Sequence, residues 1–401
     1  MINFLNIKDR IPYLCGLRSF FMRYLLYLFF ILRGLAAMAQ DLPALSTEAK
    51  ISILTVGPGF ELYSQFGHSA VAVEDPVLGI SLAYNYGVFD FRTQGFYLKF
   101  LRGQLPYQLG RSSLQANLSG WYQEGRWVKK QVLDLSQQEK QATLAFLEKN
   151  YLPQNREYAY KFFFDNCSSR IGDLVQTIKG DSIRWDSTWN ADLSFRDWID
   201  IYSKQQENHW SDFGMDLALG TPADQIATAK QAMFLPDNLF SALDKARIYQ
   251  NGRWVPIIQT ESFQPGYPVG NPTPAPIRDS WLLPLLFFGY MVWFSRSTGW
   301  VVENILTTIF ALATLILFLL WVGTDHGVTG PNAHILWTFP HVWVLNILVK
   351  RWNKKIHWVG YVSVIFLVFL WSGQSFHPSF TWLVGIQFFM TYKLWQRFSW
   401  I

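Results

Sequence analysis

The residues best suited to chemistry are a cysteine, a histidine and an asparagine in three separate segments. Cys167 follows Asp165-Asn166, a good N-cap pair, so the thiol is predicted in the first turn of a helix. Backbone N–H groups and the positive end of the helix dipole favour a thiolate there, and they can hold an oxyanion. His68 begins a predicted strand and is the candidate base, because an imidazole beside a thiol lowers its pKa and moves protons. Asn85, in the next strand, is the candidate that orients the imidazole.

Each of these residues also has a purely structural interpretation. A single cysteine is most often a small buried hydrophobe. A histidine next to a glycine is usually structural or exposed, and Asn85 is at least as well placed to hydrogen-bond a strand edge. Two polar residues near these segments, Glu61 and Asp165, are expected to serve in solvation or capping.

A mixed α+β domain is predicted to position the three residues. Strands are predicted over 51–56, 69–73, 81–86 and 126–135, with the second and third forming a hairpin. A Ser-x-x-Glu capping box at 136–139 predicts a helix to about Glu148, with Asn150 as its C-terminal stop. Two more helices are predicted to begin near Asn166 and near Pro222.

Two segments flank this domain. Residues 1–39 are predicted to be an N-terminal extension and signal peptide, because a basic start, a short apolar core and an Ala-x-Ala site precede Gln40. An uncleaved anchor is the alternative. Cleavage removes Cys15 and leaves one cysteine, which excludes an internal disulfide. Residues 264–280 read as a Pro- and Gly-rich linker, so 40–263 is predicted to be an exported domain.

The segment after the linker, 281–401, has the composition of a membrane domain. Aromatic residues make up 17% of the chain and charged residues only 16%, and the apolar excess is concentrated here. Runs free of Asp, Glu, Lys and Arg predict an all-α domain of about five transmembrane helices near 281–295, 304–323, 333–349, 356–372 and 376–392. Five spans put the basic loops on the cytoplasmic side if the exported domain lies outside, as the positive-inside rule requires. No predicted span carries a buried charge, which argues against an ion or proton pathway.

Several classes of partner are excluded. The net charge of +5 reflects the cytoplasmic loops, and an exported domain without a basic cluster is not expected to bind nucleic acid. The histidines are scattered without ligand spacing and no glycine-rich phosphate loop occurs, so neither a metal nor a cofactor is expected. Four polar residues predicted near the outer membrane face have either a loop-structure role, the favoured interpretation, or a substrate-contact role; they are His326, Asn332, His334 and His377.

The order of a His-bearing strand, a second strand and an Asn-Cys helix start resembles the circularly permuted NlpC/P60 branch of the papain-like superfamily. It also resembles acyltransferases of the lecithin–retinol type. More closely, the chain resembles the Bacteroidota lipoprotein N-acyltransferase family Lnb. The resemblance lies mainly in residues 66–70 (Phe-Gly-His-Ser-Ala), 84–91 (Tyr-Asn-Tyr-Gly-Val-Phe-Asp-Phe) and 164–168 (Phe-Asp-Asn-Cys-Ser). It extends over nearly all of the mature chain.

The resemblance implies a permuted papain-like periplasmic domain followed by a five-span domain in the bacterial inner membrane. It implies that Cys167 is the nucleophile and His68 the base; Asn85 is placed by strand position only. The implied reaction moves an acyl chain from a phospholipid, through a Cys thioester, to the N-terminal amine of a diacylated lipoprotein. The alternatives are a cysteine peptidase or amidase acting on cell-wall peptides and a non-catalytic membrane-anchored binding protein. The membrane half favours acyl transfer, because restricting both substrates to one surface lowers the entropic cost of their encounter.

Overall fold

The computed structural model describes residues 42–186, 188, 192–205, 209–266, 279–296, 301–352, 365 and 368–399. The chain divides after Leu45, and every element below lies in the unit Ser46–Ile401. The predicted N-terminal extension and signal peptide, most of the linker and most of the fourth predicted span lie outside the described residues.

The amino-terminal domain is built on antiparallel strands. The strands are β1 (Lys50–Val56), β2 (His68–Asp75), β3 (Ile80–Val88), β4 (Pro106–Ser113), β5 (Val128–Leu133), β6 (Glu157–Ala159), β7 (Ile183–Arg184), β8 (Arg247–Gln250), β9 (Arg253–Pro256) and β10 (Ile258–Gln264). Seven of them form one sheet in the order β10-β5-β1-β2-β3-β4-β6, in which every neighbouring pair is antiparallel. The other three form a small sheet in the order β7-β8-β9.

Helices cover the large sheet and make up the carboxy-terminal part of the chain. In the amino-terminal domain they are α1 (Phe96–Leu101), α2 (Leu114–Gln123), α3 (Gln137–Tyr151), α4 (Cys167–Lys179), α5 (Phe195–Gln205), α6 (His209–Ala218), α7 (Ala229–Ala232) and α8 (Pro236–Lys245). In the helical region they include α9 (Asp279–Arg296), α10 (Val301–Val322), α11 (His334–Thr338), α12 (His341–Trp352) and α13 (Phe380–Ser399).

Alternation of side chains along the strands produces the layers. Successive strand residues point to opposite faces, so Leu54 and Val56 face one side and Ile51 and Ile53 the other. The first pair packs with Trp121 of α2, whereas the second pair lies against side chains of α3 and α4. The sheet is therefore covered on both faces, and its central strands are dry and well fixed.

The strands predicted over 51–56, 69–73 and 81–86 are confirmed as β1, β2 and β3, and the last two form the predicted hairpin. The strand predicted over 126–135 is confirmed as the shorter β5. The capping box is also confirmed, with Ser136 and Glu139 each bonding the other's backbone N–H.

Two predicted helix limits are wrong. Helix α3 runs past Asn150 to Tyr151, and its backbone turns extended at Leu152 because Pro153 follows and disfavours helical geometry there. The helix predicted near Pro222 is only a 3₁₀ turn, Thr221–Asp224.

The helical region contains one described helix, α10, that is long and apolar enough to cross a membrane, and a shorter apolar helix covers Leu282–Trp293. At 1.5 Å per residue α10 is about 33 Å long. The span predicted at 333–349 is not one continuous helix, because it breaks into α11 and α12 at Phe339-Pro340. Proline lacks the N–H that a continuous helix needs and pushes the preceding residue out of helical geometry.

The prediction that no span carries a buried charge is wrong. Helix α10 begins early enough to include Glu303, and α13 runs far enough to include Lys393. Both side chains are buried, and their charged atoms lie 2.6 Å apart. A paired charge of this kind fixes two helices to each other, because each ion alone would be costly to bury.

Candidate active site

Cys167 is the first residue of α4, and Asn166 holds the start of that helix. The Asn166 Oδ1 accepts hydrogen bonds from the N–H groups of Ser168 and Ser169, both at 2.9 Å. Its Nδ2 donates to the carbonyls of Phe162 and Phe234. The predicted N-cap is therefore confirmed, and it also ties the thiol's position to two neighbouring segments.

The register between β2 and β3 brings His68 and Asn85 onto one face of the sheet. Val71 pairs with Tyr84, so Asn85 lies on the same face as Ala70 and hence as His68. The His68 Nε2 lies 3.1 Å from the Asn85 Oδ1. The Asn85 Nδ2 in turn donates to the Oδ1 of Asn117 in α2, at 3.2 Å. This second bond turns the amide oxygen of Asn85 towards the imidazole.

The thiol meets the imidazole at the start of β2. Burial raises the pKa of the Cys167 thiol, but the His68 imidazole, by its charge and by a hydrogen bond, and the Ser69 N–H outweigh burial and lower it to about 7. The ring nitrogen left to face the thiol is Nδ1, since Nε2 faces Asn85. The buried hydroxyls of Ser69 and Ser168, 2.8 Å apart, join β2 to the first turn of α4. The three residues predicted as the site are thus brought together.

Two tyrosines that no sequence motif predicted lie close enough to Cys167 for its charge to affect them. Burial raises the pKa of Tyr158 and of Tyr160, and the Cys167 thiolate raises both further. A side-chain carbon added at Gly87 would lie 3.3 Å from the Tyr160 ring and 3.9 Å from the Tyr158 hydroxyl. The only signal in the sequence was the aromatic run from Tyr158 to Phe164, which could equally indicate a core strand.

The polar residues predicted near the outer membrane face contact the amino-terminal domain. The His326 Nε2 lies 3.0 Å from the Leu101 carbonyl. Asn332 donates to the carbonyls of Leu217 and Ala218, and the His334 Nε2 lies 3.2 Å from the Asp216 carbonyl. The His377 Nε2 lies 3.7 Å from a carboxylate oxygen of Asp212. These contacts favour the loop-structure interpretation, since each residue holds the helical region against the domain that carries Cys167.

A buried arginine at this junction was also missed by the sequence analysis. Arg196 is 1% exposed, and its guanidinium contacts carboxylate oxygens of Asp216 at 2.6 Å and Asp224 at 2.9 Å. The Asp224 carboxylate also accepts from the N–H of Ser375 in the helical region. Gln374 adds a bond to the Leu219 carbonyl. The junction is therefore a polar contact in which one acceptor, Asp224, is paired with the buried Arg196.

Within the described residues, no group of three or more His, Cys, Asp or Glu side chains could hold a metal ion.

Comparison with known proteins identifies both halves of the chain. A family model described as the Lnb N-terminal periplasmic domain matches residues 44–198. A second, described as the Lnb transmembrane domain, matches residues 271–396 and is defined as a five-helix domain. No curated protein and no solved structure matches the chain. Carrying a periplasmic and a transmembrane domain of one family, the protein belongs to the Lnb family and lies in the inner membrane.

Proposed function

We propose that this protein is a lipoprotein N-acyltransferase that uses Cys167 as its nucleophile, His68 as its general acid and base, and Asn85 to orient His68. Membership of the Lnb family implies a role in lipoprotein N-acylation. One observation carries the proposal. The Cys167 thiol, at the start of a helix, has a pKa lowered by the His68 imidazole, and the other ring nitrogen of His68 lies 3.1 Å from the amide oxygen of Asn85. The same arrangement supports a permuted papain-like fold for the domain.

The first half of the proposed cycle forms a thioester. The Cys167 thiolate attacks the ester carbonyl of a glycerophospholipid while His68 is protonated, and a tetrahedral oxyanion forms. The Ser69 N–H, which points at the sulfur, is suitably placed to stabilise it. The carbon–oxygen bond then breaks, the lysophospholipid alkoxide takes the proton of His68, and the acyl chain stays on sulfur.

The second half transfers the chain to nitrogen. The α-amine of the diacylated lipoprotein's N-terminal cysteine attacks the thioester carbonyl. His68 accepts the amine proton, the carbon–sulfur bond breaks, and an amide and the Cys167 thiolate remain, with His68 protonated as at the start. Water has to be kept away from the thioester, because it would otherwise hydrolyse it before the amine attacks. The burial of Cys167, which is 7% exposed, helps to exclude water.

The junction between the two halves supports a membrane substrate. The loops after α10 and before α13 fix the amino-terminal domain to the helical region by polar contacts, and Arg196 holds one of their acceptors, Asp224, in place. A soluble amidase has no need of such a fixed attachment. An acyltransferase needs it, because its nucleophile has to stay at the level of the lipid ester groups.

The test is mass spectrometry of lipoprotein N-termini in a host that lacks its own N-acyltransferase. We expect a third acyl chain with the wild-type protein and none with Cys167→Ala or His68→Ala. Arg92→Ala is the control, since its side chain is 90% exposed and pairs with Asp90. Triacylation that persists in the Cys167→Ala strain would refute the mechanism. Wild-type protein that releases cell-wall peptides and leaves lipoproteins diacylated would establish the amidase alternative.

A further inference from the structure

Helix α1 presents an apolar surface that the described residues leave uncovered. None of its residues is buried. Tyr97 is 78% exposed, Leu98 63% and Leu101 57%. A soluble domain seldom gathers so many large apolar side chains in one exposed turn, and such patches mark contact with proteins or membranes.

The position of α1 decides between these two partners. The chain directly after α1 bonds to the loop that follows the apolar helix α10: the Asp325 N–H donates to the Arg102 carbonyl, and Gln104 donates to the Asp325 carboxylate at 2.7 Å. Gly103, with φ +66°, allows the two segments to come this close. Any other residue would place a side-chain carbon only 3.1 Å from the backbone nitrogen of His326. Since α10 crosses the bilayer, its end marks the membrane surface, and α1 lies at that level.

A continuous series of ring contacts joins α1 to the neighbourhood of Cys167. We call it the aromatic band, and it consists of Tyr160, Tyr107, Phe89, Phe91 and Phe96. Tyr160 stacks on Tyr107 at 4.4 Å, and Tyr107 meets Phe89 at 5.4 Å. Phe89 contacts Phe91 at 5.1 Å and Phe96 at 5.9 Å, and Phe96 is the first residue of α1. The band therefore starts at Tyr160, which lies within reach of the Cys167 charge, and ends on the exposed helix.

We propose that α1 inserts into the outer leaflet of the inner membrane and that the aromatic band guides a phospholipid acyl chain from the bilayer to the Cys167 thiol. Two cations on this segment, Lys99 in the last turn of α1 and Arg102 directly after it, are placed to meet lipid phosphates. The acyl-chain path rests on the proposed function, whereas the insertion of α1 does not.

The occupant is the phospholipid donor. The thioester forms first, so the chain that has to reach the buried sulfur before any acceptor arrives is the donor's. Apart from the hydroxyls of Tyr107 and Tyr160, the band offers ring faces and edges, which suit a hydrocarbon chain and provide few partners for a peptide.

The first experiment compares two double variants of the full-length protein in membranes. Tyr97→Ser with Leu98→Ser removes the apolar surface of α1. Val77→Ser with Leu78→Ser makes the same change at an exposed turn between β2 and β3, at the end of β2 away from His68. We expect the initial rate of lipoprotein N-acylation to fall at least tenfold in the first variant and to stay at the wild-type level in the second. The rate of Cys167 alkylation by iodoacetamide should be unchanged in both, which shows that the site is intact.

The second experiment needs no enzymatic activity. Wild-type protein is illuminated in vesicles of a glycerophospholipid that carries a diazirine in one acyl chain. We expect cross-links on α1 and on the aromatic band. Cross-links confined to the helical region, or wild-type acylation rates in the α1 variant, would overturn the inference. Labelling of the band by a diazirine-bearing lipoprotein, and not by the phospholipid, would overturn the assignment to the donor. A wild-type protein that is labelled on α1 yet does not acylate lipoproteins would refute the proposed function and leave the insertion of α1 standing.

Discussion

The lowered pKa of Cys167 depends on His68, and removal of that imidazole should reverse it. His68→Ala takes away the two largest causes that lower the pKa, the charge of the ring and its hydrogen bond, and leaves burial, the largest cause that raises it. The pKa of the thiol should therefore rise from about 7 to its ordinary value of 9.0 or above. Two pKa units correspond to about 3 kcal/mol of stabilisation of the thiolate relative to the thiol.

The expected effect on reactivity follows from this shift. At pH 7 a thiol of pKa about 7 is half ionised, whereas one of pKa 9.0 is about 1% ionised, so the wild type has about 50-fold more thiolate. A thiolate of lower pKa is a weaker nucleophile, by about six- to tenfold over two units. The wild type should therefore react about five- to eightfold faster at pH 7, while the variant should react faster well above pH 9. The two profiles are expected to cross.

The assay is the rate of alkylation of the Cys167 peptide by iodoacetamide between pH 5 and 10, followed by mass spectrometry. A small reagent is needed because the residue is only 7% exposed. His326→Ala is the matched control, since it removes a histidine that contacts the Leu101 carbonyl, and its profile should follow the wild type. A midpoint that stays near pH 7 in His68→Ala would contradict the reasoning, because some other group would then hold the thiolate.

Three further predictions concern the support of this site. Asn85→Ala should lower the N-acylation rate about 10- to 100-fold. Asn85→Asp keeps an acceptor for the imidazole and should recover most of that rate. Equal rates in both variants would count against an orienting role for Asn85. Arg196→Met leaves the buried carboxylate of Asp216 and the half-buried one of Asp224 without their cation and should lower the unfolding free energy by about 3–5 kcal/mol in thermal melts, whereas Arg92→Ala should not change it. Gly87→Ala should cost about 1–2 kcal/mol because φ is +87°, while Gly120→Ala in α2, with open space around it, should be neutral or stabilising; a neutral Gly87→Ala would argue against strain there.

Local chemistry made part of the fold predictable from the sequence. The Asn166 cap and the Ser136–Glu139 box bond to N–H groups two or three residues away, so a short window of sequence contains both partners. The strands around His68 and Asn85 are equally visible, because alternation and turn residues are local signals. The long apolar helix α10 could be predicted from the composition of its segment alone.

Other features required side chains distant in sequence to meet. The contact between His68 and Asn85 depends on the β2–β3 register, and the pKa of Cys167 depends on the packing of α4 against β2. The break in the third predicted span lies at a visible Pro340, but whether such a proline kinks or ends a helix depends on the packing around it.

The sequence by itself indicated which residues are suited to the proposed chemistry and which segments are exported or apolar, because side-chain type and short-range spacing decide those properties. Only the tertiary structure decided that Arg196 neutralises two carboxylates at the junction and that α1 lies at the end of α10. Both depend on contacts between residues far apart in the chain. Burial changes the energy of a charge, and an apolar turn marks a contact surface only if folding leaves it exposed.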